Sequence, residues 1–261
     1  MTGSLVGSID VAQVVLYAFW IFFAGLIWYL RQEDRREGYP LEEDVTGRYN
    51  KSPWLFVPPK KTFVLPHGQG LKQVPDFQRD ERSFASRRIA PAPGYPSEPV
   101  GNPLLAGIGP GSWAERADRP DVTAHGDARI VPLRVADGFS VVPSAVDPRG
   151  LSVLGCDRQV AGIVKDIWVD RAEHLVRYYE VDLPLADGLR TILLPNNFVV
   201  FGTGRGGVRH LYVHAITASQ FADVPETARP ELVTLLEEDK IAAYFGAGLL
   251  YADRVRQEPL L

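Results

Sequence analysis

Residues Val11–Leu30 read VAQVVLYAFWIFFAGLIWYL, and among these twenty only Gln13 carries a polar side-chain group unsuited to a membrane boundary. Twenty helical residues rise about 30 Å, the thickness of a bilayer hydrocarbon core. Lipid offers the backbone no hydrogen-bond partner, so the spacing predicts a transmembrane helix over 11–30. Trp28 and Tyr29 stand where an interfacial aromatic belt is expected. Ala18 and Gly25 share a face on which a neighbouring helix can approach closely. A cleaved leader would need a basic start and a small-residue cleavage site, and residues 1–10 contain no Lys or Arg. A buried core helix would not be bulky and apolar around its whole circumference.

Arg31, Arg35 and Arg36 follow the span directly and no basic residue precedes it. The positive-inside rule then puts residues 1–10 outside and everything after the span in the cytoplasm. The lone Cys156 agrees with a reducing compartment and excludes an internal disulfide or a thiolate-ligated zinc site. A net charge of −4 over 261 residues argues against a general nucleic-acid binder.

Residues 31–111 are expected to be an extended cytoplasmic segment. Twelve of the 21 prolines fall between Gly38 and Gly111, which forbids long helices and central strands. Trp54, Leu55, Phe56, Phe63, Val64, Leu65 and Phe77 make the stretch too apolar for a simple tether, so it is expected to lie along another surface. Residues 112–261 change to short strands and turns. The expected strands are Arg129–Arg134, Phe139–Val142, Val160–Val169, Leu175–Leu183, Arg190–Leu194, Phe198–Phe201 and Val208–Ala215, with turns at Asp187-Gly188 and Gly202–Gly207. Leu211, Val213 and Ala215 alternate with His210, Tyr212 and His214, the pattern of a half-buried strand. Strands at this spacing suggest a small barrel or sandwich. A capping box at Thr234–Glu237 opens a closing helix whose core stripe is read as Ile241, Tyr244, Phe245 and Leu249.

Motifs of catalysis are missing. There is no Gly-x-Ser-x-Gly, Walker loop or His-Glu-x-x-His, and GTGRGG at Gly202–Gly207 joins two strands instead of opening a helix. Two titratable clusters remain: Asp118, Asp121, His125 and Asp127 in one loop, and Asp166, Asp170, Arg171, Glu173, His174, Arg177 and Glu180 where one strand ends and the next begins. Pattern alone reads them as solvated polar faces, and a chain of proton donors and acceptors is the sharper alternative.

Longer stretches carry a resemblance. FWIFFAGLIWYL (Phe19–Leu30), REGYPLE (Arg36–Glu42), KTFVLPHGQG (Lys61–Gly70), GPGSWAER (Gly109–Arg116), GCDRQVAGIVKDIWVD (Gly155–Asp170) and LLEEDKIAAYFGAGLLYA (Leu235–Ala252) occur in the order seen in the H subunits of purple bacterial photosynthetic reaction centres. The chain is similar to that family from its anchor to its closing helix. The resemblance implies a membrane-anchored α+β chain: one N-terminal transmembrane helix with a periplasmic N-terminus, an extended proline-rich segment, and a small antiparallel β-barrel of the PRC-barrel type with a C-terminal helix. It implies a non-catalytic subunit of the bacterial inner membrane that caps the L and M subunits and conducts protons from the cytoplasm to the secondary quinone. The chain itself would bind no cofactor. The complex would hold bacteriochlorophyll, bacteriopheophytin, quinones, nonhaem iron and carotenoid, beside a light-harvesting antenna, a cytochrome subunit and membrane lipids.

Carried over by position, Glu173 matches the family's interior relay carboxylate, and Asp170 and Arg177 match its charged neighbours. Asp121, His125 and Arg129 fall on its proton-uptake surface. Two departures stand there: Asp127 replaces the second histidine of a pair, and Thr123 replaces an acidic residue. Asp127 can still accept protons, and with His125 it can hold a surface divalent cation. The competing readings are a membrane-tethered PRC-barrel binding module that docks another macromolecule, and a tethered hydrolase, which the missing nucleophile motif disfavours.

Overall fold

The computed structural model describes residues 4–6, 9–50, 54–77, 81–186 and 188–257. Asp187, half of one expected turn, lies outside the described residues, as do residues 1–3 and 7–8 of the expected periplasmic segment. The chain divides into two compact units, 1–82 with 90–96 and 83–89 with 97–261.

In the first unit α1 runs Val11–Glu33, three residues beyond the expected span. Asp10 caps it, its carboxylate accepting the Gln13 amide at 2.8 Å. None of its side chains is buried within the chain, and it is long and apolar enough to cross a membrane. Lipid or other chains must therefore supply its packing. Its last turn is tied to the segment that follows. Glu33 pairs with Arg36 and Lys61, each at 2.7 Å, and Gln32 donates to the Leu55 carbonyl at 3.0 Å. Arg35 lies over the rings of Tyr39 and Phe56 at 5.4 and 4.8 Å. Proline density has the expected result. The described strands between residues 38 and 111 are two to four residues long, and the longest form one hairpin, Lys61–Val64 against Leu71–Val74.

The second unit is built on a seven-stranded sheet. Its strands are β1 (Ile130–Pro132), β2 (Ser152–Leu154), β3 (Val160–Asp170), β4 (Leu175–Leu185), β5 (Gly188–Pro195), β6 (Val199–Thr203) and β7 (Arg209–Val213). The order is β5-β4-β3-β2-β7-β6, with β1 also on β3. The purely antiparallel expectation needs one correction, because β2 and β7 run parallel. Nor does the hydrogen-bonded path close into a barrel among the described residues. Phe139–Val142 is not a strand: β1 already occupies the far half of β3, and the chain turns at once, Ala145 N–H bonding the Val142 carbonyl at 2.8 Å. In its place the sheet gains β2, three residues between two glycines that the apolar pattern did not single out. Val160–Val169, Leu175–Leu183 and Arg190–Leu194 each sit inside longer strands, and of the expected Gly202–Gly207 loop only Gly204–Gly207 lies in the β6–β7 connection, Gly202 and Thr203 being paired in β6.

The closing helix α2, Leu235–Tyr251, has the expected capping box: Thr234 Oγ1 accepts the Glu237 amide at 3.1 Å, and Glu237 accepts the Thr234 amide at 2.8 Å. Ile241, Tyr244 and Phe245 are buried as read, but Leu249 is exposed. Gly248 takes its place in the seam, where a Cβ would stand 2.4 Å from Ile216 Cγ2 and 2.6 Å from the Ala215 carbonyl oxygen. Backbone therefore lies almost on backbone there. Phe245 stacks on Phe198 at 5.5 Å and meets Phe221 edge-on at 6.1 Å, locking α2 to the β5–β6 connection and to the turn after β7. Each such fully buried side chain stabilises the fold by roughly 1.5–3 kcal/mol.

Candidate functional site

The β3–β4 turn and the loop that precedes β1 come together at one end of the sheet. Asp170 ends β3 opposite Ile130, so the start of β1 is placed beside the turn. Asp170 organises that turn. Its Oδ1 accepts the amides of Ala172 and Glu173, both at 2.9 Å, and its carbonyl accepts the His174 amide at 2.8 Å. His174 takes a left-handed φ of 55° and stacks on Phe139 at 5.2 Å. The Asp170 side chain is only 1% exposed.

Arg129 reaches this turn from the loop. Its Nε donates to Asp170 Oδ2 at 2.9 Å, its Nη1 to Asp121 at 3.2 Å and its Nη2 to Glu173. One guanidinium thus joins three carboxylates. The loop itself is a tight hairpin: Arg129 N–H bonds the Asp121 carbonyl at 2.9 Å, and Thr123 N–H the Asp127 carbonyl at 2.8 Å. Thr123 also uses its hydroxyl locally, accepting the His125 amide at 3.3 Å. Burial alone would raise the Asp170 carboxyl. The Arg129 guanidinium and the two turn amides outweigh it and hold the group below the usual aspartate range.

Of the seven residues singled out, the structure gathers Asp121, Arg129, Asp170 and Glu173 into one network. His125 and Asp127 lie on the loop that carries Asp121 and Arg129. Among the described residues no three His, Cys, Asp or Glu side chains assemble into a set able to hold a metal ion, so His125 and Asp127 gain no third ligand. Arg177 points elsewhere, its Nη2 standing 3.6 Å from Glu238 on α2. The Glu173 side chain is 54% exposed in this chain.

The second sequence cluster therefore splits. Asp166 and Glu180 face each other directly across β3 and β4. Paired carboxylates at that spacing repel, and cations are inserted between them. Arg134 Nη1 donates to both, at 3.1 Å to Asp166 and 2.6 Å to Glu180. Trp168 Nε1 donates to Glu180 at 2.8 Å, and Lys165 stands 3.0 Å away. Burial would raise Glu180, but these donors hold it below the ordinary glutamate range. A fourth buried carboxylate, Glu238, accepts the Tyr178 hydroxyl at 2.8 Å. Sequence reasoning passed over Arg134, Trp168 and Glu238. The available signal was parity, since Asp166 and Asp170 share a strand face with Val164 and Trp168, positions that have to be partnered.

Two family comparisons match the chain. The family described as photosynthetic reaction centre, H-chain N-terminal region, matches residues 3–135, more than half the chain, and the PRC-barrel domain matches residues 143–212.

Proposed function

The chain belongs to the photosynthetic reaction centre H-chain family, and from that premise we propose that it caps the L and M subunits and passes cytoplasmic protons toward the secondary quinone. Membership makes it a subunit of a photosynthetic reaction centre, associated with the other subunits there. In the finer reading, electrons reach the quinone one at a time inside a low-dielectric pocket. A doubly reduced anion in such a pocket is strongly unfavourable until protons follow. A relay for those protons needs ionisable groups within hydrogen-bond reach of each other.

The observation that carries this reading is the Asp121–Arg129–Asp170–Glu173 network. Asp121, His125 and Asp127 would collect protons at the surface. Glu173 would be the mobile carrier, because it has one strong partner and an exposed side chain. Asp170 is the fixed member: it is held ionised and clamped by three donors. Arg129 sets their spacing, and Arg177, 3.6 Å from Glu238 on α2, stands outside the network. The proposed orientation puts residues 1–10 in the periplasm and the sheet unit in the cytoplasm, and the arginines after the span support it. The pigments, iron and carotenoid of the complex would be held by its other subunits.

The test is Glu173→Gln in the assembled reaction centre. We expect the second electron transfer and its proton uptake to slow by tenfold or more after flash excitation, with primary charge separation unchanged. Unaltered second-flash kinetics across the pH range would remove Glu173 from the route. Protease added to sealed membranes with the cytoplasmic face outward should cut the sheet unit, and protection would reverse the orientation.

A further inference from the structure

Four buried carboxylates lie among the described residues of the sheet unit, and they are not equally supplied. Asp166 has the Arg134 guanidinium and the Ile167 amide. Asp170 has a guanidinium and two backbone amides, and Glu180 has a guanidinium, an ammonium and an indole N–H. Glu238, 8% exposed in the first turns of α2, has one donor at hydrogen-bond distance, the neutral phenol of Tyr178. Its nearest cation is Arg177, 3.6 Å away. We propose that Glu238 is a proton-binding site in the seam between α2 and the sheet, and that its ionisation loosens the start of α2. The site is separate from Glu173 and does not depend on the relay.

The surroundings favour the neutral acid. Burial pushes Glu238 above the usual 4.5, against the opposing pull of Tyr178, Arg177 and Arg116. Burial also pushes the Tyr178 hydroxyl up, so the phenol stays a donor and cannot itself take the proton. Arg116, in the segment before β1, stands 3.8 Å from Asp239, which also accepts the Ala114 amide at 2.8 Å. Asp118 accepts the Thr234 hydroxyl at 2.8 Å. On α2 itself Glu237 is engaged in the cap, and Lys240 lies over Trp113 at 4.8 Å. The one charged residue of β5, Arg190, is held by Glu226 and the Ala222 and Val224 carbonyls. Ionising Glu238 therefore adds a third charge beside Glu237 and Asp239, and its nearest cation, Arg177, stands at 3.6 Å, beyond hydrogen-bond distance. The proton leaves to bulk water, and the carboxylate recovers its hydration only when the first turns of α2 open.

The sign follows from linkage. A carboxyl whose docked pKa exceeds its open-state value binds more protons when docked, so docking weakens as pH rises from about 4.5 to the docked pKa. In the intact complex, amide exchange over Leu235–Tyr251 should gain an extra pH dependence of up to about tenfold per pH unit in that window, one proton being linked. Glu238→Gln should remove it, together with one protonated-carboxyl carbonyl band in the infrared. Tyr178→Phe, which keeps the ring, should shift that band and not abolish it. An unchanged protonated-carboxyl spectrum in Glu238→Gln, or α2 exchange in the native complex that follows only the intrinsic base catalysis, overturns the proposal.

Discussion

Asp170 and Glu173 sit three residues apart in one turn and share one arginine, yet their energetics differ because one is sealed and the other wet. Removing Asp170 leaves the Arg129 Nε and two turn amides without their acceptor, while Asp121 and Glu173 still hold the guanidinium. We expect Asp170→Ala to cost about 1–3 kcal/mol, read as a lowered denaturant midpoint, because it leaves buried turn donors unsatisfied. Glu173→Ala, removing an exposed pair, should cost about 0–1 kcal/mol in the same assay. Equal losses would mean that the turn does not rest on Asp170. The pH response follows from the depressed Asp170 carboxyl: its contribution is fully present above 3.8, the ordinary aspartate value, and fades as pH falls through the lower folded value. Legibility at this scale was uneven. The charges at Asp121, Arg129, Asp170 and Glu173 stand in the sequence, but that one guanidinium would join them depends on β1 pairing with the end of β3, across about forty residues. Arg177 shows the same limit. On β4 it is two residues from Leu175, and only the packing of α2 decides that its partner is Glu238.

The elements were legible where length and periodicity agreed. The α1 pattern runs around a whole helix, and β3, β4 and β5 carry apolar runs long enough to stand alone. Phe139–Val142 had strand composition but no free strand edge to join, whereas Ser152–Leu154 had an edge but too few residues to announce itself. In α2 the misread Leu249 exposes the physical cause. Apolar size points to Leu249 for the buried stripe, but the seam is narrow and selects Ala247 and Gly248 instead. Gly248→Ala should therefore destabilise by about 1–3 kcal/mol through overpacking, although alanine is the better helix former. A variant as stable as the parent in thermal melting would show that the seam yields at little cost.

At the scale of the molecule, residues expected to belong to the extended segment serve the sheet unit. Leu104 is 3% exposed within its core, and Gly111 lies where a Cβ would stand 3.0 Å from Ala247 Cβ on α2. A fragment beginning at 112 would strip this layer off α2. It should aggregate or melt well below one beginning at 83, whereas coincident cooperative melts would show the layer to be dispensable. Composition correctly foresaw the lack of long elements in this region. It could not show which of its apolar residues turn toward the sheet, because a proline-rich strand of chain has no period from which to read a face.

The parallel ladder between β2 and β7 has a temporal consequence. Its two strands are separated by more than fifty residues, so β2 has to wait, unpaired on one side, until most of the polypeptide has left the ribosome. By then the apolar helix near the N-terminus has long been synthesised. Synthesis thus commits this chain to lipid before it can commit to a fold.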